Sequence, residues 1–192
     1  MLKQDLRVTY QAKRQALSDE DLKEISMKIG RRLVEWLSEH PTIEVIHTFL
    51  PAREKKEIDT ELIIQHCISS KPDLKFAVPK LDKGLRRMTH HSWNPDTLLT
   101  PNRWGIPEPV SADEIDVNHI DLVLVPLLIF DTYGHRVGYG GGYYDAFLAE
   151  CSDTTQKIGL CAFPPVPRIT NVNSYDIKLD ACITPTQVYT FQ

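Results

Sequence analysis

The sequence predicts an α/β protein: a three-layer sandwich with a mostly parallel, Rossmann-like sheet and N-terminal helices packed on it. Three observations carry this. Apolar runs of strand length alternate with helix-like segments along most of the 192 residues, the pattern that builds layered α/β folds. Residues 121–130 are apolar at nearly every position, as a strand covered on both faces of a parallel sheet must be. Just beyond, Gly134, Gly138, Gly140, Gly141 and Gly142 make up five of the chain's nine glycines, and an amphipathic stretch follows over 144–151. Strand, glycine loop and helix in that order is how α/β folds hold phosphate. Glycine lets amides approach an anion, and the helix start adds its positive dipole end.

The elements follow in order. Residues 2–17 contain no Gly or Pro and read as a helix. Ser18 is an N-cap, with Asp19, Glu20 and Asp21 in the first turn of a second helix running to about His40. Its apolar face carries Leu22, Ile25, Ile29, Leu33, Trp36 and Leu37, and Pro41 ends it. Residues 43–50 form the first strand. Asp59 or Thr60 caps a helix bearing Leu62, Ile63, His66 and Cys67. Strands are expected at 74–78, 87–93, 121–130, 157–162 and 181–183. Residues 94–120 read as a Pro-rich loop. No repeat or linker divides the chain, so a single domain is expected over 1–192.

Composition narrows the class. The apolar fraction is 42%, the charged fraction 25% and the net charge -4. That suits a soluble globular protein and gives no basic surplus for nucleic acid. The N-terminus lacks the apolar core of a signal peptide, and 122–130 is too short to span a bilayer. The four cysteines, Cys67, Cys151, Cys161 and Cys182, have no metal-ligand spacing and sit in apolar stretches. They read as buried free thiols of a cytoplasmic protein.

Several constellations could carry chemistry. The glycine loop lacks the Gly-Lys-Ser/Thr ending of a Walker loop, and Tyr143 stands where the dinucleotide fingerprint needs its third Gly. Lys3, Arg7 and Arg14 fall within about 40° on a helical wheel, with Tyr10 beside them. That stripe suits a polyphosphate and equally a solvated helix face. Asp145, directly after the loop, has the position of a Mg²⁺ ligand, or of a helix cap; Asp176 and Asp180 are four apart near the C-terminus. Glu57 follows a strand end, where α/β sites gather. Trp104-Gly-Ile-Pro-Glu108-Pro places an indole and an acid in a stiff loop. His90 and His91 are neighbours on a strand and point to opposite faces, so they are no chelating pair.

Taken together, these residues resemble the 5-formyltetrahydrofolate cyclo-ligase (methenyltetrahydrofolate synthetase) family. The most specific match is Gly134-x-Arg136-x-Gly138-x-Gly140-x-Gly142-Tyr143-Tyr144-Asp145. Lys3-x-x-Leu6-Arg7, Glu57-Ile-Asp-Thr60, Trp104-Gly-Ile-Pro-Glu-Pro109 and Asp176-x-x-x-Asp180 occur in the family's order, so the likeness runs from Lys3 to Thr184. In three places the chain departs from the pattern. The segment between Phe49 and Glu57 is longer, Tyr175 stands where many members have His, and Gly141 where some have Lys.

The resemblance implies ATP- and Mg²⁺-dependent closure of 5-formyltetrahydrofolate to 5,10-methenyltetrahydrofolate, with ADP and phosphate released, by a monomer acting on small molecules. It implies ATP contacts at Lys3, Gln4, Asp5, Leu6 and Arg7 and at Arg136, Val137, Gly138, Tyr139, Gly140, Gly141, Gly142, Tyr143 and Tyr144. Folate contacts are implied at Leu50, Glu57, Trp104 and 139–143, metal ligands at Asp145 and Asp180, and catalytic roles at Arg136 and Tyr143. Lys83, Arg86 and Arg87 are candidates for a basic rim toward a polyglutamate tail. Two other readings use the same loop: a phosphosugar isomerase or CoA-transferase-like enzyme on a similar fold, and a non-catalytic nucleotide- or folate-binding protein.

Overall fold

A computed structural model describes residues 1–82 and 87–191. Helices α1 (Lys3–Gln15) and α2 (Asp19–Ser38) come first, then strand β1 (Val45–His47) and a single 3-10 turn, Arg53–Lys55. Helix α3 (Thr60–Ser70) leads to β2 (Lys75–Asp82) and β3 (Arg87–Trp93). A small pair follows, β4 (Leu99–Pro101) and β5 (Pro107–Pro109), then a 3-10 turn, Val117–His119. The remaining elements are β6 (Leu122–Pro126), β7 (Ile129–Phe130), β8 (Arg136–Val137), α4 (Tyr143–Glu150), β9 (Gln156–Leu160), β10 (Ala181–Ile183) and β11 (Val188–Thr190).

The main sheet has the order β11-β10-β9-β6-β1-β2-β3. From β10 to β2 all neighbours are parallel, and an antiparallel strand closes each edge. Alternation along each strand sorts side chains to two faces. Leu122 and Leu124 join Ile46, Ile158 and Ile183 under α2 and α3. Val123 and Val125 join Cys182 under α1 and α4, where Leu6, Phe147 and Leu148 pack. The three layers are therefore present, and the two N-terminal helices cover opposite faces. Ser18 caps α2 in a full capping box with Asp21, and the Asp59 side chain caps α3.

Four expectations need correction. The apolar run 121–130 is not one strand: it breaks after Pro126, and β7 turns away to pair with β8 in a separate ladder. Proline gives no amide to continue a ladder. The first strand spans only three residues, and the loop expected at 94–120 holds the β4–β5 hairpin. β11 was not expected. Of the rim candidates, Lys83 and Arg86 lie outside the described residues, and Arg87 opens β3 as an exposed residue.

The β7–β8 hairpin places the glycine loop. Buried Asp131 organises its turn: Oδ1 accepts from the Tyr133 and His135 amides, and Oδ2 accepts from the Ile169 amide. All four cysteines are free, and burial pushes the Cys67 and Cys161 thiols up to about 12, which makes them poor nucleophiles.

On the α4 face, the His47 and His90 rings meet edge to face at 4.9 Å, and His90 stacks on Phe147. Among the described residues, neither His47 nitrogen nor His90 Nδ1 has a partner. Burial, with the neighbouring His90, holds His47 well below the usual range; burial, with His91, brings His90 down to about 4. An unfolded chain titrates its histidines near about 6.5. Between about 6.5 and about 4 the unfolded state thus binds more protons than the native state, so stability falls as pH falls. The urea midpoint should drop between about pH 7.5 and about pH 5, and His90→Leu should flatten part of that slope. A wild-type midpoint independent of pH over this window would contradict the account.

Candidate functional site

A cavity of about 880 Å³ opens at the carboxyl ends of the parallel strands, where open α/β sheets place ligands. Phe49 and Leu50 reach it from the end of β1, Pro126 from the end of β6, and Leu81 from late in β2. Its volume lies toward the upper end for a single small-molecule site.

Residues 138–142 form one wall. Gly140 has φ +91, and a side chain there would come 3.3 Å from the Arg7 guanidinium. Gly142 has φ +73 as the N-cap of α4 and supplies no side-chain cap. The opening residues of α4 line the cavity and have no capping side chain, an arrangement that favours an anion. Arg7 Nε donates to the Gly138 carbonyl at 2.9 Å, tying α1 to the loop.

Beside the loop lies a charged network. Arg136 is 9% exposed. It donates to the Ile177 carbonyl, and through Nη2 to Asp145 Oδ1 at 2.7 Å. The Ile177 amide donates to the same oxygen at 3.2 Å. Lys3 pairs with Asp176 at 2.5 Å, and the Asn173 amide also donates to Asp176. Burial alone would raise the Asp176 carboxyl, but Lys3, the Asn173 amide and nearby Arg136 outweigh it and hold it below its ordinary value.

A second network anchors the loop from beneath. Tyr139 Oη donates to Glu57 Oε1 at 2.6 Å and accepts from Arg14 Nη2. Glu57, itself buried, takes the Ala52 amide on Oε2 at 2.7 Å. Burial first, and then the Glu57 charge, push the Tyr139 hydroxyl well up, with Arg14 opposing, so it remains a donor. Lys55 Nζ sits 4.5 Å from the centre of the same ring.

The structure sorts the expected site residues. Lys3 and Arg7, four apart on α1, both line the cavity, as do Leu50, Glu57, Trp104, Arg136, Val137, the loop 138–142, Tyr143, Tyr144 and Asp145. Gln4, Asp5 and Leu6 do not, because the helical turn sends Leu6 into the core and leaves Gln4 and Asp5 exposed. Arg14 leaves the cationic stripe and is 5% exposed against Tyr139. Asp180 is not brought to Asp145. It precedes β10 at the opposite, amino end of the sheet, where Oδ2 accepts from the Lys157 amide at 2.7 Å. Asp176 instead lines the cavity with Asp145. Sequence reasoning assigned no site role to Lys55. It offered Asp176 and Asp180 together as a source of a second metal carboxylate, and the resemblance selected Asp180; the structure brings Asp176 to the cavity instead.

As to a metal, no group of three or more His, Cys, Asp or Glu among the described residues is arranged to hold one. Mg²⁺ needs less: one or two carboxylates beside phosphate oxygens and waters. Asp145 and Asp176 meet that description; Asp180 does not.

Tyr139→Phe removes the hydroxyl shared by Arg14 and Glu57 and leaves both partly unsatisfied. It should cost about 1–3 kcal/mol, read as a lower urea midpoint. An unchanged midpoint would show that this link does not hold the loop.

Comparisons with known proteins bear on the family and the fold. A family model described as the 5-formyltetrahydrofolate cyclo-ligase family matches residues 1–185. The 5-formyltetrahydrofolate cyclo-ligase of Escherichia coli (strain K12) is 29% identical over 185 residues, covering 92% of this chain and 97% of that one. A protein of Arabidopsis thaliana named "5-formyltetrahydrofolate cyclo-ligase, mitochondrial" is 32% identical over 162 residues, 73% of this chain and 58% of its own length. The solved structure of Aquifex aeolicus 5,10-methenyltetrahydrofolate synthetase, 24% identical, matches the fold with a TM-score of 0.79 over 100% of this chain and 94% of that one.

Proposed function

The chain belongs to the 5-formyltetrahydrofolate cyclo-ligase family, and from that premise we propose that it closes 5-formyltetrahydrofolate to 5,10-methenyltetrahydrofolate at the expense of ATP. One observation carries the reading. A single cavity joins the cations Lys3, Arg7 and Arg136 and an uncapped helix start to an apolar wall holding Trp104 and Leu50. A polyphosphate and a flat heterocycle can thus lie in contact. A phosphosugar isomerase requires no heterocycle wall, and the family match over residues 1–185 speaks against a CoA-transferase-like reading, whose ligand carries a diphosphate and an adenine of its own.

The chemistry sets what these residues must do. A formyl oxygen on N5 is a poor leaving group. Its lone pair attacks the γ-phosphorus of ATP, the bond to the β-phosphate oxygen breaks and ADP leaves. N10 then attacks the formyl carbon and loses its proton, and the carbon–oxygen bond breaks to release phosphate. The barrier is lowered by alignment and by charge stabilisation rather than by a side-chain nucleophile. On this reading Arg7, Lys3 and the opening amides of α4 hold the phosphates. Arg136, fixed by Asp145 and Ile177, presents its remaining N–H groups to the migrating phosphoryl group. Tyr143 bounds the loop where it meets α4, while the Tyr144 ring packs inward against His47 and Phe147. Mg²⁺ would rest on Asp145, with Asp176 beside it, and would neutralise phosphate charge.

The lining residues span Lys3 to Ile177, which supports one domain over 1–192, and we take the enzyme to act as a monomer. Four free cysteines support a reducing compartment, and we place the enzyme in the cytoplasm. No helix among the described residues is long and apolar enough to cross a membrane.

Two measurements test the proposal. Wild-type protein with 5-formyltetrahydrofolate should develop the absorbance of the methenyl product only when both ATP and Mg²⁺ are present, with ADP in equal amount. Substrate bound without turnover would point instead to a binding protein. Arg136→Ala should lower kcat by about 100-fold or more, with Arg136→Lys less affected. Wild-type turnover in Arg136→Ala would remove it from the reaction.

A further inference from the structure

The β4–β5 hairpin carries a carboxylate that the reaction above does not use. Glu108, on β5, lines the cavity and is only 8% exposed. Its Oε1 accepts from the Leu81 amide at 3.1 Å and from Asn102 Nδ2 at 2.7 Å. Asn102 is itself fixed, because its Oδ1 accepts from the Trp104 and Ile106 amides. The carboxylate is thus aimed by both β2 and its own hairpin. Among the described residues no donor reaches Oε2 and no Lys or Arg pairs with Glu108.

Oε2 is not among the buried unpartnered atoms of the described residues, so it opens to the cavity rather than being sealed within the protein. Glu57, the other buried carboxylate of the cavity, has both oxygens taken by Tyr139 and Ala52. Glu108 Oε2 is therefore the acceptor still open to a ligand. Its neighbours in the lining are apolar: Leu81, Met88, Trp104 and Ile106. The cations Lys3, Arg7, Lys55 and Arg136 come from α1, the Arg53–Lys55 turn and β8 instead. A triphosphate placed against Glu108 would be repelled. An uncharged planar ring with N–H donors along one edge would be held on its faces by the apolar wall and on that edge by Oε2.

We propose that Glu108 is the specificity-determining acceptor for the N–H edge of the substrate's 2-amino-4-oxopyrimidine ring. This rests on the folate reading given above. Adenine also carries an exocyclic amino group, so the test must separate the two rings.

The experiment compares the wild-type full chain with Glu108→Gln, using 5-formyltetrahydrofolate and its 2-desamino analogue at saturating ATP, and then varying ATP. A lost hydrogen bond to a charged group predicts a KM for 5-formyltetrahydrofolate raised about 10–100-fold in Glu108→Gln. KM for ATP should stay within about twofold. Wild type should prefer the parent over the analogue by about tenfold or more, and Glu108→Gln should lose most of that preference. A merely structural role would weaken parent and analogue alike. Should Glu108→Gln not fold, Asn102→Ala keeps the carboxylate but loosens its aim, and it should reduce the same preference. Turnover by wild type with equal use of parent and analogue would overturn the assignment, as would a rise confined to the KM for ATP. Absence of any methenyl product from wild type would instead refute the reaction itself.

Discussion

The site depends on one buried guanidinium. Arg136 sits on a two-residue strand, and its charge is tolerated there only because Asp145 of α4 and the Ile177 carbonyl both meet it. Satisfying that one group holds together three segments distant in sequence. Lys3 adds a fourth, because its pair with Asp176 fastens the first turn of α1 to the same 173–177 loop. The glycine loop is then bounded by α1, by β8 and by the start of α4, and its amides are left facing the cavity.

Polar side chains here are arranged in tiers. Arg14, Tyr139 and Glu57 form a hydrogen-bonded chain beneath the loop. Asn102 does the same for Glu108 on the opposite wall. In each case a buried acid is oriented by neighbours before any ligand arrives, which reduces the reorganisation left for binding. The two walls differ in charge. The α1 and β8 side is cationic, while the side built from β2 and the β4–β5 hairpin is apolar with a lone acid. On the proposed reading, phosphates would lie along the first wall and the pterin along the second.

Much of this was legible from the chain. Alternation of apolar runs with helical periodicity reported the layers, because burial on both sheet faces demands it. The Ser18 cap and the Asp59 cap were readable because capping is local chemistry. Gly138, Gly140, Gly141, Gly142, Arg136, Asp145, Glu57, Lys3, Arg7, Leu50 and Trp104 all reach the cavity. The helical wheel failed at Arg14, since it gives angles around one helix and not the height at which a partner waits. It also failed for the apolar run 121–130, where periodicity cannot show that Pro126 ends the pairing and β7 starts another ladder.

Local sequence thus determined the helices and all but one strand of the main sheet, where two helices start, and which glycines and charges belong to the loop. These depend on interactions within a few residues. Only the tertiary structure decided that Asp176 rather than Asp180 accompanies Asp145, that Arg14 supports Tyr139 instead of facing phosphate, and that Glu108 lacks a full set of donors. Parallel register sets the first, because it sends Asp180 to the amino end of β10 while the site lies at the carboxyl ends. The other two depend on contacts made across 125 residues for Arg14 and 27 for Glu108. No local pattern encodes such contacts, since they exist only once the layers have packed.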